Sequence, residues 1–117
     1  SPQLNMQIDA TRTLGQLAYA PAYSKIAAMA KSERWELRAV VASALANFGV
    51  DENTDALIDL LCDREWWVRF RAAESLTQSK HIKAVQNHVK KREDRYAQEM
   101  LQFALDKQAL RNRKGVA

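Results

Sequence analysis

The sequence predicts an all-α protein, a solenoid of stacked antiparallel helix pairs with about seven helices. Its 117 residues are 47% hydrophobic and include only 3 Gly and 2 Pro, a composition that favours long helices over turn-rich sheets. Apolar residues recur at helical spacing, and no segment alternates with period two for long enough to indicate a strand. Shifting the chain by 31 residues places "SERWELRAVVASAL" (32–45) over "DREWWVRFRAAESL" (63–76), and a period in this range is typical of repeat proteins.

The predicted helices cover residues 3–18, 21–31, 34–48, 52–62, 65–78, 81–91 and 94–112. Pro21 suits the first turn of a helix, Gly49 suits a left-handed helix end, and Asp51 stands where the N-cap of the fourth helix belongs. The connections are too short to be domain linkers. We therefore expect one domain over 1–117, with residues 80–117 forming a divergent capping repeat that ends in a basic tail. Because the first helix aligns with the second helix of a pair, we also expect the chain to be a fragment of a longer protein.

The two aligned segments share more than apolar character. Trp35 coincides with Trp66, Arg38 with Arg69, and the second segment reads D-x-x-W-x-V-R-x-x-A-A-x-x-L from Asp63. This pattern resembles a HEAT repeat, and the 31-residue period resembles the short subtype named after phycobilisome lyases. The resemblance is closest over 21–79 and degrades after residue 80. It implies a superhelix whose second helices line a concave face, and a non-catalytic protein-interaction or scaffold function with a protein partner.

The predicted core lies on two neighbouring apolar stripes of the second helices. Trp35 belongs to one stripe, so we expect both it and its repeat equivalent Trp66 to pack in the core. Arg38 and Arg69 fall between the stripes, where a charge must be paired or hydrogen-bonded. The resemblance implies that each arginine pairs with an acid at the neighbouring turn, and the matching positions hold Asp63 and Asp94. These four residues form a predicted structural ladder, and the alternative is that the arginines face a ligand.

The opposite arc of the same helices is polar and is expected to line the concave face. The candidate partner-binding residues are Asp9, Arg12, Glu36, Val40, Asn47, Trp67, Arg71 and Glu74. Trp67 stands out because its counterpart one repeat earlier is Glu36. A tryptophan beside an arginine has the composition of a binding hot spot. The alternative is that Trp67 lies flat on its neighbours beneath Arg71, in a cation–π contact.

The net charge of +4 is concentrated in the last third of the chain, where residues 80–117 hold 10 Lys and Arg against 4 Asp and Glu. This excess supports an alternative function in nucleic-acid or anionic-surface binding, although the mixed signs of "KKREDRYAQE" are typical of a solvated helix face. The predicted basic patch consists of Lys90, Lys91, Arg92, Arg95, Arg111, Arg113 and Lys114.

The sequence lacks the motifs and spacings that are typical of acyl transfer, nucleotide hydrolysis or metal binding. His81 and His88 stand seven residues apart with no cysteine nearby, and there is neither a Gly-x-Ser-x-Gly motif nor a glycine-rich phosphate loop. We therefore predict no catalytic residue, metal, cofactor or small-molecule substrate. The enzymes that remain as less favoured alternatives are a HEAT-like DNA glycosylase and a bilin lyase. Cys62 is the only cysteine, and no signal peptide or membrane span is visible, so we expect a cytoplasmic protein by default.

Overall fold

The computed structural model describes residues 1–116, and within this range the chain forms seven α-helices and no strand. The helices are α1 (Pro2–Gln16), α2 (Tyr23–Ala28), α3 (Trp35–Asn47), α4 (Thr54–Leu61), α5 (Trp66–Leu76), α6 (Ile82–Lys91) and α7 (Arg95–Val116). Short 3-10 turns at Ala20–Ala22, Met29–Lys31 and Asp51–Asn53 lie beside α2 and α4. The all-helical prediction is confirmed.

The helices form two layers. Helices α1, α3, α5 and α7 contact one another in that order, and α2, α4 and α6 each contact the helix that follows them in the chain. The layer of α1, α3, α5 and α7 therefore contains the second helix of every pair, and we call it the inner layer. This arrangement is the one expected for a helical repeat stack, in which each pair buries its apolar face only against its neighbours.

The core lies between the two layers. Its most completely buried large side chains include Ile26, Leu45, Leu57, Leu61 and Leu76. Each such side chain stabilises the fold by about 1.5 to 3 kcal/mol relative to an exposed position. The repeat equivalents Leu45 and Leu76 occupy the same depth in successive pairs, so the core is continuous along the stack.

The turn between α3 and α4 joins two successive repeats. Gly49 ends α3 with φ of +114°, where a side chain would be strained and would overlap the Glu52 carboxylate. The prediction that Asp51 caps α4 is wrong, because a 3-10 turn intervenes and α4 begins at Thr54. The Asp51 carboxylate instead accepts hydrogen bonds from the Ser79 hydroxyl at 2.5 Å and the Lys80 N–H at 3.1 Å.

The prediction that Trp35 and Trp66 are core residues is wrong. Trp35 is 38% exposed and Trp66 is 47% exposed. The buried arc of α3 extends to Ala42, and at 100° per residue Trp35 lies about 20° beyond that edge, as Trp66 does beyond Ala73 in α5. Each indole therefore lies at the border between the core and the exposed face of the inner layer.

None of the helices within residues 1–116 combines the length and apolar character needed to cross a membrane.

Candidate functional site

The exposed face of the inner layer carries a groove of about 430 Å³ that crosses α1, α3 and α5. We call it the tryptophan groove. Five residues predicted for the concave face line it, namely Arg12, Glu36, Val40, Trp67 and Arg71. Three further lining residues, Ile8, Trp35 and Ala39, were not predicted for this face, and the last one, Ser43, lies on the polar arc of α3 that was expected to line it. The repeat therefore brings together side chains that lie up to 63 positions apart, from Ile8 to Arg71.

The other predicted residues of this face lie beside the groove. Asn47 lines a neighbouring hollow of about 310 Å³ at the far end of α3, with Arg12 and Gln16. Asp9 and Glu74 do not line the groove, but each forms an ion pair with an arginine that does. The Asp9 carboxylate lies 3.3 Å from the Arg12 guanidinium, and the Glu74 carboxylate lies 3.0 Å from that of Arg71.

Trp67 is both exposed and stacked. Half of its surface is open to solvent, at 49%. Its ring meets the rings of Trp66 and Phe70 edge-on at centroid distances of 4.9 and 5.8 Å. The Arg71 guanidinium lies 5.7 Å from its ring centroid, within the range of a cation–π contact. The indole is therefore partly exposed and also held by its neighbours, and it meets the adjacent rings edge-on and does not lie flat on them.

The arginines at the groove are paired with acids, although one oxygen of Glu36, Oε1, is buried without a hydrogen-bond donor in the described residues. Besides Arg12 and Arg71, which pair with Asp9 and Glu74, the Arg34 guanidinium lies 3.3 Å from the Glu36 carboxylate. The pKa of Glu36 lies below its ordinary value because its own backbone N–H, at the open first turn of α3, and Arg34 both favour the carboxylate. Solvent-exposed pairs of this kind add little to stability. Their effect on the site is to surround an apolar floor with a rim of little net charge.

The predicted pair of Arg38 and Asp63 is present between successive repeats. Arg38 is 5% exposed, and its Nε and Nη2 donate to the two carboxylate oxygens of Asp63 at 2.8 and 3.0 Å. Its Nη1 donates to the carbonyls of Ser32 and Glu33. Every edge of this buried guanidinium has an acceptor, so Arg38 links α3 to the turn before α5.

The predicted pair of Arg69 and Asp94 is wrong. Arg69 Nη1 donates to the Asp63 carbonyl at 2.9 Å, as Arg38 donates to the equivalent Ser32 carbonyl, but its buried Nε has no acceptor within the described residues. The Asp94 carboxylate instead accepts from the Ala97 N–H at 3.0 Å and caps the first turn of α7. The last repeat therefore lacks the ion pair that Arg38 and Asp63 form one repeat earlier.

The predicted basic patch is divided between the two ends of α7. Lys90, Lys91, Arg92 and Arg95 lie near its start, and Arg111, Arg113 and Lys114 lie about 24 Å away along the helix axis. Arg92 donates to Asp59 at 2.8 Å, which raises the pKa of Arg92, and Arg95 lies 3.4 Å from Glu99. The seven residues therefore do not form a single continuous patch.

Trp35 is the main residue of the groove that sequence reasoning missed. The feature that could have indicated this role is the position of Trp35 at the first residue of α3, at the edge of the apolar stripes and one turn before Ala39. A large side chain at such a border is free to cover either the core or the surface.

Within residues 1–116, no cluster of three or more His, Cys, Asp or Glu side chains is arranged to hold a metal ion.

Two layers of helices, in which the pair α2 and α3 and the pair α4 and α5 begin 31 residues apart, define an α-helical repeat protein. The family model for HEAT repeats matches residues 23–106, and the chain belongs to the HEAT repeat family. The match does not distinguish the short subtype. Searches of curated proteins and of solved structures each found no match. HEAT repeats commonly act as protein-interaction scaffolds and are generally non-catalytic.

Proposed function

We propose that this chain is a protein-interaction module and that the tryptophan groove is its partner-binding site. The observation that carries the proposal is the pair of partly exposed indoles, Trp35 and Trp67, that face one groove between neighbouring helices. Exposed tryptophans are costly to leave in water and are enriched among residues that dominate binding energy.

The composition of the groove defines the chemistry of the partner segment. Its floor includes the apolar side chains of Ile8, Ala39 and Val40, and its arginines already have acidic partners. A volume of about 430 Å³ is within the range of sites that hold a compact apolar group. The groove therefore suits a large apolar side chain carried on a segment with polar flanks, and it offers little to a highly charged ligand.

The test is quantitative capture of partners from the source extract by the parent chain and by a Trp67→Ala, Arg71→Ala variant. The matched control is Leu110→Ala, Arg111→Ala, which also removes one exposed apolar and one basic side chain, at the far end of α7. Melting temperatures of all three proteins establish that each is folded. We expect the groove variant to lose partners that the control retains.

Two other results would contradict the proposal. Equal recovery by parent and groove variant would remove the tryptophan groove from consideration. Loss in the control alone, with binding that weakens steeply between 50 and 200 mM salt, would indicate phosphate contacts through the basic end of α7, because released counterions make such binding strongly salt-dependent.

A further inference from the structure

A second groove lies on the same face, between α5 and α7, with a volume of about 280 Å³. We call it the α5–α7 groove. Its aromatic residues are unusually open, since Trp66 is 47%, Tyr96 is 71% and Phe103 is 55% exposed. Met100 and Arg69 also line it. A contiguous group of large apolar side chains on a surface is a common mark of an interaction site.

The repeat itself indicates which chemical group is missing from this groove. Arg38 gives its Nε and Nη2 to the carboxylate of Asp63, in a bidentate arrangement. Its equivalent Arg69 makes the same backbone hydrogen bond through Nη1, yet its Nε is buried without an acceptor in the described part of the chain. A buried donor without a partner is costly. Arg69 therefore lacks the carboxylate that Arg38 binds one repeat earlier. Its Nε is enclosed, so a ligand carboxylate reaches the Nε edge only when the Arg69 side chain shifts toward the groove.

The other charges around the α5–α7 groove also favour an anionic partner. Lys107 Nζ lies 5.4 Å from the centroid of the Phe70 ring, and that ring stacks on Trp66 at 5.1 Å. The acidic residue that lines the groove, Glu99, lies 3.4 Å from Arg95 and is compensated by it. The groove is therefore flanked by Arg69 and Lys107 without an uncompensated acid among its lining residues.

We propose that the α5–α7 groove binds an acidic segment of a partner protein, in which an Asp or Glu carboxylate lies beside a large apolar side chain. The carboxylate pairs with Arg69, and the apolar side chain packs among Trp66, Tyr96 and Phe103. A planar guanidinium suits a carboxylate through two parallel hydrogen bonds, which gives directional selectivity for an acid over an amide. This second site rests on the proposed interaction function, and it differs from the tryptophan groove in requiring negative charge.

The experiment uses two synthetic helical peptides of equal length with leucines at every third or fourth position. One carries Glu at the remaining positions and the other carries Gln. The three tryptophans show where the peptide binds, because each indole N–H gives its own NMR signal. These signals are assigned with Trp→Phe variants at positions 35, 66 and 67. We expect the Glu peptide to shift the Trp66 signal and to bind about tenfold more tightly than the Gln peptide.

Variants then test the individual contacts. Arg69→Gln and Phe103→Ser should each weaken the Glu peptide about tenfold, whereas Met6→Ser, which also replaces an exposed apolar residue, should have no effect. Phe103 is exposed, so its replacement tests the groove even where Arg69→Gln impairs folding. Equal affinity of the two peptides, or equal weakening by Met6→Ser, would overturn the inference.

Three outcomes would point to other occupants. Shifts confined to Trp35 and Trp67 would overturn the α5–α7 site while supporting the proposed function at the tryptophan groove. A Trp66 signal that shifts on dilution of the protein alone would identify a second copy of the chain as the occupant. Displacement of the Glu peptide from Trp66 by a short single-stranded oligonucleotide would identify phosphate as the ligand chemistry. Either of the last two results would replace the proposal.

Discussion

Replacement of Arg38 by methionine should destabilise the protein more than the same change at Arg69 one repeat later. Methionine keeps the length and apolar stem of arginine but removes all of its hydrogen bonds. Arg38→Met loses two bonds to the Asp63 carboxylate and two to backbone carbonyls, and it leaves an acid that is only 12% exposed without its cation. Arg69→Met loses one backbone hydrogen bond.

The magnitudes follow from these contacts. Removing one partner of a buried ion pair costs about 3 to 5 kcal/mol. The lower end applies here, because Asp63 keeps some solvent exposure and the hydrogen bond from the Glu65 N–H. The single bond of Arg69 is worth about 1 kcal/mol, and removal of its unpartnered Nε offsets part of that loss. For a domain of this size, these values correspond to decreases in melting temperature of about 12 °C for Arg38→Met and no more than about 4 °C for Arg69→Met.

The assay is thermal and urea unfolding of the parent and both variants, followed by circular dichroism. Equal destabilisation by the two substitutions would refute the reasoning, because it would mean that the Asp63 carboxylate adds nothing to the role of the arginine. A decrease below about 1 kcal/mol for Arg38→Met would refute it as well, by placing this pair among weak surface pairs.

The pH dependence gives a second measure of the same pair. Burial raises the pKa of Asp63, but the hydrogen bonds from Arg38 and the Glu65 N–H outweigh it, so the pKa lies below its ordinary value. A lowered folded-state pKa stabilises the protein above the unfolded value of about 4, and that stability is lost as pH falls through the folded pKa. Without Arg38, burial dominates and Asp63 is better tolerated when protonated. The stability difference between parent and Arg38→Met should therefore narrow below about pH 4.

Three further predictions concern contacts between repeats. Gly15→Ala should destabilise the protein by about 1 to 3 kcal/mol in urea unfolding, despite the better helix propensity of alanine, because its Cβ would lie 2.6 Å from that of Ala44. The second substitution Ala44→Gly should restore most of the lost stability. An unchanged or higher stability of Gly15→Ala would show that α1 and α3 can separate freely. Ser75→Ala should lower the free energy of unfolding by about 1 kcal/mol, since the buried Ser75 hydroxyl donates to the Ala42 carbonyl at 2.6 Å. Ser43→Ala, at an exposed position, should leave stability unchanged. Equal effects of the two substitutions would argue against this link between α3 and α5. Asp51→Asn should lower the melting temperature at neutral pH and have little effect under acidic conditions. Hydrogen bonds from Ser79 and Lys80 lower the pKa of Asp51, and the stability they add is lost as the carboxylate protonates. A difference in melting temperature between parent and variant that persists at low pH would exclude the Asp51 carboxylate as its cause.

The family and the layered architecture were accessible from the sequence because they depend on local and periodic information. Helical spacing of apolar residues determines which arc of each helix is buried, and a 31-residue period requires successive helix pairs to pack in equivalent ways. The position of Arg38 between two apolar stripes required an acceptor, and the resemblance to HEAT repeats indicated Asp63 as that acceptor. Helical spacing also indicated the exposed arc that contains Trp67 and Arg71.

Some helix ends were visible only in the tertiary structure. Ala18 ends α1 with φ of +49°, and Glu93 follows α6 with φ of +57°. Neither residue type favours the left-handed region, so residue type alone does not predict this conformation. At Ala18 it accompanies a hydrogen bond from the Tyr19 N–H to the Leu14 carbonyl, which closes the end of α1. At Gly49, by contrast, the residue type alone predicted the positive φ.

The sequence by itself determined the order of the helices, their pairing and the centre of the arc that each buries, because these follow from residue types and their spacing. Only the tertiary structure decided that Trp35 and Trp66 lie over grooves and that Asp94 caps α7 and leaves Arg69 without a carboxylate. A side chain at the border of the buried arc goes wherever the adjacent helix leaves space. An ion pair between repeats forms only where the register of both helices brings its partners together, and the last repeat departs from that register.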